Sequence, residues 1–197
     1  MAPDAFLALL GYAFVSSVTP GPNNMMLMAS GVNFGFRRTL PHMLGIAIGF
    51  FVLLLAVGFG LGALLHAVPG LQTAMKVASV AYMLWLAWRI ATAKGLGEAK
   101  ETGRPFGFLQ AAGFQWVNPK AWAMALVAMG AYTNAEQPVL SVLLVGTAFA
   151  LVNFPCVSVW AGFGVALRGF LAEPRRLRVF NVAMGLLLVA TLWPMLR

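Results

Sequence analysis

The sequence predicts an all-α integral membrane protein of six transmembrane helices, arranged as two inverted three-helix repeats whose first helices are broken. Three observations lead there. Of the 197 residues, 61% are hydrophobic and only 9% charged, with a mean hydropathy of +0.86. A water-soluble domain carries about a quarter of its residues charged, so a soluble globular protein is excluded. The apolar residues fall into six stretches of spanning length, and prolines interrupt the first stretch of each half. The whole chain, 1–197, reads as a single transmembrane domain: repeat one over about 1–93, a polar loop at 94–106 and repeat two over about 107–197.

A helix crosses the hydrocarbon layer with roughly 20 apolar residues at ~1.5 Å each. On that measure the spans lie at about 5–33, 43–65, 71–93, 107–133, 138–166 and 178–196. Arg37, Arg38 and Pro41 close the first span, and His66, Pro69 and Gly70 the second. Lys94 to Arg104 follows the third, Asn134 to Pro138 the fourth and Arg168 to Arg178 the fifth. The amino-terminal Met-Ala-Pro-Asp lacks the basic residues of a secretory leader, so the first stretch reads as a retained span.

Charge gives the orientation. Arg37 and Arg38 follow span one; Arg89, Lys94, Lys100 and Arg104 flank the central loop; Arg168, Arg175, Arg176 and Arg178 follow span five. The intervening loops hold His66 and Glu136 and no Lys or Arg. Cytoplasmic loops gather basic residues, so both termini are expected outside the inner (plasma) membrane. The net charge of +8 is thereby explained by topology and calls for no nucleic-acid partner.

Three spans on each side of the central loop place related halves in opposite orientations, as in many secondary transporters. Thr19-Pro20-Gly21-Pro22-Asn23-Asn24 interrupts the first span of half one, and Val117-Asn118-Pro119-Lys120 that of half two. Proline removes a backbone donor and turns the preceding residue out of the helix. Unpaired peptide groups survive at membrane depth only when buried in protein or lining a wet cavity. Thr19-Pro20, Gly21-Pro22 and Asn118-Pro119 each fit a cap followed by a first helical residue. The restarted half-helices would point free N–H groups and positive dipole ends at an anionic group such as a carboxylate. Asn23, Asn24, Gln115 and Asn118 add neutral donors and acceptors, and Lys120 a positive charge. Either break alone fits a simple kink as well as it fits a site; two breaks at equivalent positions favour a binding site. Lys120 either supports the ligand or extends to the membrane interface.

Later spans supply candidate cavity-lining residues. Lys76, Ser79 and Tyr82 recur every third residue; Gly146, Asn153 and Trp160 recur every seventh, with Pro155 freeing a nearby carbonyl. Bonding between helices is the plainer use of these groups. The Gly45-xxx-Gly49 and Gly58-xxx-Gly62 spacings permit close helix packing, within the protomer first, with a homodimer as a second arrangement they allow.

Several chemistries are absent. Asp4, Glu98, Glu101, Glu136 and Glu173 all fall in termini or loops, so no carboxylate relay or paired-aspartate protease is visible. The single cysteine, Cys156, excludes a CxxC redox pair and a thiolate metal site. No Gly-rich phosphate loop is present, so transport would run on a gradient. No enzyme, metal or cofactor is expected. His42 and Lys120 are the candidates for carrying a proton. The alternatives are a membrane electron carrier or a non-transporting membrane subunit, the first disfavoured by the lone cysteine.

Thr19-Pro-Gly-Pro-Asn23, Gly35-Phe-Arg37, Tyr82-Met-Leu-Trp-Leu-Ala-Trp-Arg89 and Phe114-Gln-Trp-Val-Asn-Pro-Lys-Ala-Trp122 resemble the LysE/RhtB family of amino-acid exporters over essentially the whole chain. The resemblance implies six spans in the inner membrane and export of amino acids or close derivatives by proton exchange. The substrates it implies are neutral and hydrophilic, such as cysteine and O-acetylserine or homoserine and threonine. Carried onto this sequence, the family motifs point to Pro20, Gly21, Pro22, Asn23, Asn118, Pro119 and Lys120 as the functional core.

Overall fold

The computed structural model describes residues 1–93 and 104–193, and among them every regular element is helical. Helix α1 (Pro3–Val18) and helix α2 (Pro22–Phe34) form a pair bent by 54°. Helix α3 (Phe36–Ala56) continues through a wide π turn (Val57–Leu61), kinked at Gly60 with φ +117°, into α4 (Gly62–Ala67). Helix α5 covers Pro69–Ala91. In the second half, α6 (Phe108–Phe114) passes through a 3₁₀ turn (Gln115–Val117) to α7 (Pro119–Tyr132), followed by α8 (Pro138–Leu167) and α9 (Pro174–Ala190). Helices α1, α2, α5, α7, α8 and α9 begin on proline, whose missing N–H costs nothing at a position that has no helical acceptor.

Two boundaries differ from the sequence expectation. Arg37, Arg38 and Pro41 lie inside α3 rather than in a loop before it. Gly35, at φ +80°, turns the chain in one residue where other residue types would be strained, so α3 starts at once. Thr39 Oγ1 donates to Gly35 O at 2.9 Å and meets Ser30 Oγ at 2.8 Å, which braces this corner. The last helix starts at Pro174, not at 178, so Arg175, Arg176 and Arg178 are helical. Most of the expected central loop, and the end of the expected sixth span, lie outside the described residues.

By length and hydropathy, Phe36–Leu64 (29 residues, mean hydropathy 2.6) and Pro138–Leu167 (30 residues, 2.1) each suffice to cross a bilayer, and the bent pair α1 and α2 passes the same test when taken together as one span. Their outward faces carry Ile48 and Val52 on α3 and Leu151, Val159 and Phe163 on α8, all exposed. Such a surface suits lipid.

Helices α3 and α8 form the centre of the bundle. Helices α1 and α2 pack on α8, α6 packs on α3, and α5 packs on α9. Small residues let backbones approach where these helices cross. A methyl group on Gly31 would collide with the Ala161 carbonyl, one on Gly164 with that of Met28, and one on Gly45 with that of Phe108. Gly49 lies against Ala112, and Gly58 against Val142 and Met129, so these spacings serve packing within the protomer. One apolar cluster joins Leu9, Phe50, Ala125 and Phe149; another joins Leu27, Ile46, Met83, Phe114 and Leu188.

One end of the bundle gathers three connections. Asn33, near the end of α2, donates to Asn181 of α9 at 3.3 Å, and Asn181 donates to Ala93 O just past α5 at 3.3 Å. The Arg168 guanidinium lies beside Gly35. The basic segments around Arg37, Arg89 and Arg168 therefore share one side.

Candidate functional site

Helix α1 stops at Val18 because Pro20 and Pro22 cannot supply helical donors. Its last carbonyls would be orphaned in an apolar setting, yet each has a partner. Ser16 O accepts from Thr19 Oγ1 (3.0 Å), Ser17 O from Asn24 Nδ2 (2.9 Å) and Val18 O from Trp160 Nε1 (3.1 Å). Thr19 O accepts from Asn24 Nδ2 and from Lys120 Nζ, both at 2.8 Å. Lys120 Nζ also donates to Thr19 Oγ1 (2.9 Å) and Pro20 O (3.4 Å). All three ammonium protons are thus directed at the end of α1, and the positive charge sits at the negative end of that helix's dipole. The Lys120 side chain crosses Gly21, where a methyl group would lie 2.8 Å from its Cδ.

The second interruption meets the first directly. Gln115, fully buried, exchanges two hydrogen bonds with Asn23: Asn23 Nδ2 to Gln115 Oε1 at 2.8 Å, and Gln115 Nε2 to Asn23 Oδ1 at 3.1 Å. Gln115 Nε2 also donates to Ala111 O at 2.9 Å. Asn118, also buried, caps α7 by accepting from Lys120 N at 3.1 Å. The start of α2 has no side-chain cap. By helix geometry the first-turn amides of Asn23, Asn24 and Ala121 have no acceptor within their own helices.

Both restarts open on one small cavity with an open mouth. Gly21, Pro22, Asn23 and Asn24 of the first break line it, with Gln115, Asn118, Lys120 and Ala121 of the second. Asn153 of α8 and Ser16 and Ser17 of α1 complete its polar wall; Phe50, Met124 and Val157 form the apolar side. Among the described residues no acid lines it, so a ligand meets amide donors, neutral acceptors and one lysine. Two unopposed helix starts facing one cavity can take a small anionic group. Among the described residues no group of three His, Cys, Asp or Glu could hold a metal.

The remaining expected residues are distributed around this centre. Thr19 and Pro20 are exposed and act through their oxygens on Lys120, and Pro119 starts α7. Trp160 serves the end of α1. Lys76, Ser79 and Tyr82 do not line the cavity: Lys76 is exposed, Ser79 Oγ donates to Met75 O at 2.7 Å and Tyr82 stacks on Phe114 at 5.4 Å. Helix α5 is turned to α9 and α6 instead. His42 is buried beside Phe106, at 5.3 Å, and away from the cavity wall. Sequence reasoning missed Ser16 and Ser17, although two hydroxyls immediately before a helix stop in an apolar run are a signal.

The family model described as LysE type translocator matches residues 14–191. A cysteine/O-acetylserine efflux protein of Salmonella paratyphi A is 31% identical over 194 residues, covering 96% of each chain. That of Salmonella choleraesuis is 30% identical over 194 residues, and that of Escherichia coli O1:K1 is 29% identical over 193, again with 96% of each chain covered. No solved structure matches the chain.

Proposed function

The chain belongs to the LysE type translocator family, as a membrane transporter and not an enzyme, and on that premise we propose that it exports small neutral amino acids or their close derivatives across the inner membrane. The observation that carries the proposal is the meeting of two helix restarts, from opposite halves of the chain, on one polar cavity. The substrate carboxylate binds the free first-turn amides of Asn23, Asn24 and Ala121, where two positive dipole ends converge. The Asn23–Gln115 amide pair ties the two restarts together, and Asn118 caps the second. Lys120 holds the end of α1 against the start of α7 and keeps a positive charge at the cavity edge.

In this reading α1 with α2, α3 with α4, α5, α6 with α7, α8 and α9 make six crossings in two inverted repeats. The packing of α3 on α6 as the counterpart of α8 on α1 supports it: exchanging the halves carries one contact onto the other. The basic segments on one side mark the cytoplasmic face, with both termini outside. Alternating access to the cavity is driven by proton exchange.

The names of the relatives make cysteine and O-acetylserine the first substrates to test, with threonine and homoserine beside them. Purified protein in proteoliposomes loaded with each labelled amino acid should release it faster than protein-free vesicles, and faster still under an imposed proton gradient. Release of none of them, with the protein inserted, would overturn amino-acid export; release indifferent to the gradient would overturn proton exchange.

A further inference from the structure

We propose that Asn153 reads the substrate's α-ammonium: its side-chain oxygen accepts a hydrogen bond from that group and makes the carrier select zwitterions over carboxylates that lack the amine. The inference rests on the export reading above and assigns the opposite end of the substrate. Asn153 lies near the middle of α8, is only 6% exposed and lines the cavity. Its Nδ2 donates to Ser17 Oγ at 3.1 Å, which sets the direction of the amide. Its Oδ1 has no partner among the described residues. A buried amide oxygen without a donor is costly and rare in a folded protein.

Several of the side-chain donors around the cavity are already committed. Lys120 directs its three protons to Thr19 and Pro20, Asn24 Nδ2 serves Ser17 O and Thr19 O, Gln115 Nε2 serves Ala111 O and Asn23 Oδ1, and Trp160 Nε1 serves Val18 O. A ligand in the cavity can supply the donor that Asn153 Oδ1 lacks. The free groups at the helix restarts are amide donors, suited to a carboxylate, whereas Asn153 presents an acceptor. One zwitterion satisfies both ends. A neutral acceptor suffices because the ligand has no net charge, in keeping with a wall that holds no acid among the described residues.

The test is counterflow of labelled cysteine in proteoliposomes of the full chain under reducing conditions, with unlabelled cysteine or its desamino analogue 3-mercaptopropionate as competitor. The unaltered protein should prefer cysteine by about tenfold or more, the expected effect of one lost hydrogen bond to a charged group. Asn153→Leu should raise the half-inhibitory cysteine concentration by about that factor while leaving 3-mercaptopropionate within about threefold. Asn153→Asp, which keeps an acceptor in place, should retain the preference. If Asn153→Leu does not assemble, Ser17→Ala carries the test: freeing the amide should lower the preference and spare the analogue. Equal weakening of both competitors, or an unchanged preference, overturns the assignment while export stands. Failure of the unaltered protein to carry any amino acid overturns export and this assignment together.

Discussion

Replacing Asn23 by Leu and Gln115 by Met, singly and together, measures how firmly the two interruptions are tied. Asn23→Leu removes both reciprocal bonds and leaves a fully buried Gln115 with an unpaired oxygen. Gln115→Met removes the same two bonds and the one to Ala111 O. Side-chain hydrogen bonds within membranes contribute about 0.6 kcal/mol each and reach about 1.7, and orphaned buried polar groups add about 1–3 kcal/mol. Each single change should therefore cost about 2–4 kcal/mol. The double variant leaves no orphan between the two sites, so it should cost less than the sum, with a coupling of about 1–3 kcal/mol. Reversible unfolding of the four proteins in mixed detergent micelles gives the cycle. Costs that add to within about 0.5 kcal/mol would refute a direct tie between the breaks.

Lys120→Met removes three hydrogen bonds and a charge from the end of α1; it should destabilise by about 2–3 kcal/mol and cut amino-acid efflux by about tenfold or more at equal membrane abundance. Undiminished efflux would show that this strap is dispensable. Gly31→Ala or Gly164→Ala forces a methyl group onto a backbone carbonyl where α2 crosses α8 and should cost about 1–3 kcal/mol in thermal unfolding. Gly162→Ala, two residues from Gly164 and in open space, should be neutral or stabilising by up to about 1 kcal/mol. Trp160→Phe should cost about 1 kcal/mol through the unpaired Val18 carbonyl, measured in the same way.

The breaks were legible because proline states its effect locally: Pro20, Pro22 and Pro119 stop and restart helices whatever surrounds them. So was the service of Gly45 and Gly49, since small residues at a four-residue interval have one main use. What periodicity does not carry is the identity of the facing element. Lys76, Ser79 and Tyr82 do share a face of α5, but it is turned to α6 and to the exterior. The pairing of Asn23 with Gln115, 92 positions apart, depends on two bends whose angles no local rule fixes. Arg37, Arg38 and Pro41 were read as a loop because they are poor membrane residues, whereas a one-residue corner at Gly35 lets them serve as the first turns of a helix.

The finishing of α1 has a bearing on biogenesis. The groups that satisfy Val18 O and Pro20 O, Trp160 and Lys120, are made more than 95 residues later in the chain. During synthesis the ribosome therefore delivers a first helix that cannot complete its own hydrogen bonding in an apolar setting, and must wait for α7 and α8. A fragment ending in the central loop is incomplete on its own, and the two halves expressed as separate polypeptides should accumulate only when produced together.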